Sequence, residues 1–127
     1  MRSSQFAKRV FFGAGVYGIL VLLPMYFLED RIGRAFPPPT AHPEQYYGFV
    51  GVALAWQLAF LVIARDPLRY RPLMLAATAE KLLPAGAVLW LLAAGRSSFA
   101  VAAPFFVDLG LGALFWVSYR RSGPGAA

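Results

Sequence analysis

Four runs of apolar residues, each about the twenty residues a helix needs to cross the hydrocarbon core of a bilayer, dominate the chain. They cover residues 10–28, 46–64, 72–95 and 99–119. Within lipid each backbone amide must be satisfied inside its own segment, so these runs are read as α-helices. The predicted fold is an all-α membrane protein: four transmembrane helices in an up-down-up-down bundle, one domain over residues 1–127, with 122–127 expected to be a disordered tail. The first run resembles a signal peptide, because Arg2, Lys8 and Arg9 precede it. It is longer than a typical signal core and is followed at once by Glu29, Asp30 and Arg31, so it reads as a retained first helix.

Composition supports this. Of 127 residues, 59% are hydrophobic and 14% charged, against about 25% charged in soluble domains. The net charge is +6. A basic chain can signal nucleic acid, but here the basic residues flank apolar runs and no nucleic-acid partner is expected. There is no cysteine, hence no disulfide, thiol redox centre or thiolate metal site.

Lys and Arg in the connections give the orientation. Arg2, Lys8, Arg9, Arg65, Arg69, Arg71, Arg120 and Arg121 fall on one side; Arg31, Arg34 and Arg96 fall on the other. The positive-inside rule then puts both termini in the cytoplasm. Tyr26, Phe27, Tyr46, Tyr47 and Trp90 fall at the outer boundary, and Tyr70, Trp116 and Tyr119 at the inner one, as interfacial belts do. Gly51, Ala55 and Ala59 at intervals of four, with Gly48 before them, form a small-residue face suited to close helix approach.

The informative residues are those hydrocarbon should exclude. Tyr17, Gln57, Glu80, Lys81 and Asp108 come from four different spans. At about 1.5 Å of rise per residue, all five lie within roughly 5 Å of the midplane. Each of the three charges costs about 2.5–3.5 kcal/mol at that depth if left unpaired, so they should face the interior and pair. Glu80 and Lys81 are neighbours and point about 100° apart on a helix, so they should not converge on one point. Either one reaches Asp108 while the other meets Gln57 or Tyr17, or Lys81 extends towards the interface. Two acids against one base leave one carboxylate protonated or available to a cation. Trp56, also mid-span, would line the same site.

Prolines accompany the charges. Pro84 lies four residues after Glu80, Pro104 four before Asp108, and Pro24 four after Leu20. Each removes a helix hydrogen bond and frees a carbonyl. Ionisable groups beside interrupted helices recur in membrane binding and transport sites. The arginines of the segment Arg65-Asp66-Pro67-Leu68-Arg69-Tyr70-Arg71-Pro72 suit anionic lipid headgroups, although topology and a turn explain them as simply. One histidine, His42, beside Glu44 is too little for a metal site, and no cofactor or nucleophile motif occurs.

The stretches His42-Pro43-Glu44-Gln45-Tyr46-Tyr47-Gly48-Phe49, Trp56-Gln57 and Asp66 to Met74, continuing to Glu80-Lys81, resemble a group of small uncharacterised bacterial four-helix membrane proteins. The architecture is similar to DoxX-like proteins. The resemblance implies the fold and a bacterial inner membrane, and carries no activity to transfer. Small multidrug transporters match in length and helix count but use a glutamate in the first helix, where this chain has no acid.

Three functions follow as expectations. The first is binding or transport of a small lipophilic or cationic molecule, with Glu80 and Asp108 as anchors beside Lys81, Gln57, Tyr17 and Trp56. The second is a structural or accessory subunit, or a homo-oligomer, in which the charged layer is an ion-pair network that fixes helix register. The third is an enzyme acting on a lipid or quinone, for which no residue pattern specifies a reaction. Membrane lipid is a partner in all three.

Overall fold

In a computed structural model that describes residues 2–35 and 41–123, the regular structure of the described residues is all helical, joined by turns. Four helices are long and apolar enough to cross a membrane, the mark of a multi-pass membrane protein. Helix α1 spans Arg2–Leu22 and passes into a 3₁₀ turn, Leu23–Phe27. A short helix α2 spans Glu29–Ala35. Then come α3 (Pro43–Arg65), α4 (Leu73–Ala93) and α5 (Phe99–Arg121).

The helix ends follow from local chemistry. Pro24 sits in the first turn of the 3₁₀ segment, where its missing N–H costs least, and it closes α1 at Leu22. Helix α2 was not expected. It has Glu29 and Asp30 in its first turn and Arg34 in its last, matching the helix dipole at both ends. Helix α3 starts three residues earlier than the apolar run because Pro43 is preset for a first helical position. It ends before Pro67, with Asp66 held extended as a residue preceding proline must be. Helix α4 ends in a Schellman turn: Arg96 N donates to the Leu91 carbonyl at 2.8 Å and Gly95 N to Leu92 at 3.1 Å, with Gly95 at φ 73°. Ser98 then caps α5 by accepting from Val101 N at 3.3 Å. Helices α4 and α5 run through Pro84 and Pro104 without a break in helical assignment.

Contacts at the two ends fix the relative directions. Tyr46 at the start of α3 donates to the Met25 carbonyl at 2.6 Å, just past the end of α1. Arg71, before α4, donates from Nε to the Tyr119 carbonyl at 2.9 Å, and its guanidinium lies 3.7 Å from the Tyr119 ring centroid. Arg121 lies 4.3 Å from the ring of Phe6. Consecutive long helices are therefore antiparallel, and both ends of the described chain lie at one end of the bundle with Lys8, Arg9, Arg65, Arg69, Arg71, Arg120 and Arg121. Ser122, assigned to a disordered tail by the sequence, is buried and its N–H caps α5 through Ser118 O. The rest of that expected tail, 124–127, lies outside the described residues.

Packing is uneven. Helices α1 and α3 form one close pair, α4 and α5 another, and α1 lies along α5; α3 and α4 touch sparsely. The expected small face of α3 is not the closest approach, since Ala55 is exposed and Gly48 meets nothing. At the α1/α3 seam the close approach is made by glycines of α1. A Cβ on Gly15 would lie 2.7 Å from Leu61 Cδ2 and 3.0 Å from the Gln57 carbonyl oxygen, and one on Gly18 would overlap the Gln57 side chain. Only hydrogen fits there.

Three rings from three helices join the halves. Phe11 stacks on Phe115 at 4.2 Å, and Phe60 meets Phe115 edge-on at 4.8 Å. Met74 and Ala77 of α4 complete this core. Between 17% and 33% of each span is buried within the chain. Most of every helix therefore faces outward, including Phe27 (83% exposed) and Trp90 (74%). That surface suits lipid and not water.

Candidate functional site

The charged layer forms on the inner faces of α4 and α5. Lys81 is 5% exposed, and its Nζ lies 3.2 Å from Asp108 Oδ1 and 3.8 Å from Glu80 Oε2. Of the alternatives open in the sequence, Lys81 takes the pairing with Asp108 and does not extend to the interface. Glu80, expected to point elsewhere, stays within ion-pair range of Lys81, because the flexible lysine stem bends back where a rigid side chain would diverge. The lysine tip also lies 5.4 Å from the Phe60 ring centroid on α3, a cation–π distance.

The two acids are not equivalent. Asp108 Oδ1 accepts a hydrogen bond from Lys81 Nζ, whereas Glu80 holds the same ammonium only at ion-pair distance. Glu80 Oε2 is buried and has no hydrogen-bond partner among the described residues. Neither Gln57 nor Tyr17 reaches it. Gln57 is 1% exposed but faces α1; its Nε2 donates to its own helix at Ala53 O, 2.8 Å away, and its Oε1 has no hydrogen-bond partner among the described residues. Tyr17 is 41% exposed. Gly18 faces Gln57, and the next residue back along the helix is turned about 100° away, so Tyr17 leaves the layer laterally.

Trp56 remains near the charge. It packs at 6.3 Å from Phe60 and lines a groove of about 620 Å³ along the sparse α3/α4 seam. Phe49, Val52 and Trp56 form one wall and Leu83 and Pro84 the other, with Glu80 the sole charged residue in the lining. This volume is in the range of small-molecule sites, which pair apolar walls with few polar groups. The six residues singled out from the sequence thus divide: Glu80, Lys81 and Asp108 converge, Trp56 lines the adjoining groove, and Gln57 and Tyr17 lie apart.

Sequence reasoning missed Gly15 and Gly18, although Gly13, Gly15 and Gly18 in one helix were a visible small-residue signal. It also missed the groove. Away from the layer, His42 Nδ1 lies 3.2 Å from Glu44 Oε1 at an exposed helix start. Compared with protein-family models, with curated proteins and with solved structures, the chain matches none of them.

Proposed function

We propose that the protein binds a small lipophilic cation from within the bilayer, in the α3/α4 groove, with Glu80 as its counter-charge. The observation that carries this reading is the asymmetry of the two acids. Asp108 Oδ1 accepts a hydrogen bond from Lys81 at 3.2 Å, while Glu80 Oε2 stands 3.8 Å from the same ammonium, an ion-pair distance without a hydrogen bond, and Glu80 also lines the apolar groove. Intramembrane carboxylates are costly and are kept for pairing or for ligands. Trp56 adds an aromatic face to the same groove, and such faces attract cations. The membrane is a bacterial inner membrane on the sequence resemblance, and the basic end faces the cytoplasm on the eight-to-three distribution of Lys and Arg.

The test is binding of tetraphenylphosphonium to the protein in nanodiscs of neutral lipid. Glu80→Gln is expected to weaken binding about tenfold or more, since it removes a coulombic attraction of about 3 kcal/mol between unit charges about 5 Å apart at an effective dielectric of about 20, while the thermal melt stays close to wild type. Equal affinity for the Gln variant, with the fold intact, sinks the proposal.

A second reading has its own observation. Gly48, Ala76 and Ala79 also line the groove, and small residues are what close approach of a helix requires. In that reading the occupant is a helix of a larger complex and the charged layer is structural. Cross-linking from positions 52 and 83 to a second polypeptide in native membranes distinguishes it.

A further inference from the structure

The seven basic residues at the bundle end whose side chains are described fall into two groups. Four are occupied: Arg71 by the Tyr119 ring and carbonyl, Arg121 by Phe6, Arg120 by Trp116 at 6.0 Å and Arg69 by Tyr70 at 5.6 Å. Lys8, Arg9 and Arg65 have neither an ion pair nor an aromatic partner among the described residues, and all three are exposed. They converge on a groove of about 640 Å³ between α1 and α3. Its rim is Gln5, Lys8, Arg9 and Arg65, and its inner wall is Phe12 and Leu61. Phe12 is 60% exposed.

We propose that this groove is a binding site for an anionic phospholipid, with Lys8, Arg9 and Arg65 holding the phosphate and Phe12 and Leu61 lying against the upper acyl chain. Three unpaired cations supply the charge complement to an anionic headgroup at the depth where helices α1 and α3 leave the hydrocarbon. Guanidinium groups suit phosphate oxygens because they present paired donors. A free phosphate ion would use only the rim. The exposed apolar wall immediately below it selects a ligand whose charged and apolar parts are joined. The site is independent of Glu80: it lies between α1 and α3 and shares no lining residue with the α3/α4 groove.

Native mass spectrometry of the full chain tests this. The protein is purified in mild detergent, where membrane orientation does not enter, and is titrated with dioleoyl phosphatidylglycerol or dioleoyl phosphatidylcholine. Wild type is expected to retain phosphatidylglycerol in preference to phosphatidylcholine. Each of Lys8→Gln, Arg9→Gln and Arg65→Gln is expected to lower that retention about fivefold, and the triple variant to abolish the preference. Arg120→Gln/Arg121→Gln, which removes charge at the same end but outside the groove, should leave it unchanged. Equal losses in the two sets, or no loss in any single variant, overturn the site in favour of diffuse charge. Displacement by glycerol phosphate at the concentration of the lipid overturns the lipid in favour of a soluble anion. The single variants change one exposed side chain each and keep the test independent of folding.

Discussion

Helix α3 is held in two different ways on its two sides. Towards α1 it is locked by the absence of side chains: Gly15 and Gly18 bring the α1 backbone against Gln57 and Leu61. Towards α4 the backbones stay apart, a groove opens, and the tip of Lys81 reaches across to Phe60. The first seam depends on close backbone packing; the second rests on the Lys81 tip over Phe60 and on Met74 and Ala77 at the shared apolar core. A seam of the first kind has no room for a ligand. The second has room, and Glu80 and Lys81 make its interior polar.

Removing the charge should do the most damage. Lys81→Ala leaves Glu80 and Asp108 facing each other in a low-dielectric interior without a cation. Breaking a buried pair in this way costs about 3–5 kcal/mol, so a large drop in the thermal melt in detergent, or failure to purify as a single species, is expected. If the variant melts like wild type, the triad is not holding the α4 side.

Crowding the other seam comes next. Gly15→Val places methyl groups against the Gln57 carbonyl, which is backbone and has nowhere to go. Overpacking costs about 1–3 kcal/mol, read as a lower melting temperature with Glu80-dependent binding retained. Loss of binding with an unchanged melt would instead mean that the two seams are coupled.

The smallest effect has the opposite sign. Gln57→Leu removes a buried amide whose oxygen is unpartnered and whose nitrogen only bonds back to its own helix. The change should be neutral or stabilising by up to about 1 kcal/mol. A clearly destabilised Gln57→Leu protein would show that the amide is a positive feature of the close seam.

What was legible in the sequence follows the same division. The four spans were readable because a bilayer imposes a length, and the ion layer because hydrocarbon imposes a cost on charge. The Lys81–Asp108 pair was one half of a readable alternative; the other half, Glu80 meeting Gln57 or Tyr17, does not form, and Glu80 stays beside Lys81. Gln57 and Tyr17 were grouped with the acids by depth alone; depth does not say which way a side chain turns around the helix axis, and Gly18 decides that for both. Helix ends were displaced where proline set them, as at Pro43 and Pro24. The α3/α4 groove was not legible at all, because it depends on which pairs of neighbours pack closely.

The Lys81–Asp108 pair also bears on how the chain is assembled. Its two members lie on consecutive helices joined by the tight Gly95 turn. Alone in hydrocarbon, α4 carries both Glu80 and Lys81, and α5 carries an uncompensated Asp108, each charge at a cost of about 2.5–3.5 kcal/mol. Together they cancel most of it. For membrane insertion, then, the last two helices enter as one hairpin at lower cost than either meets alone.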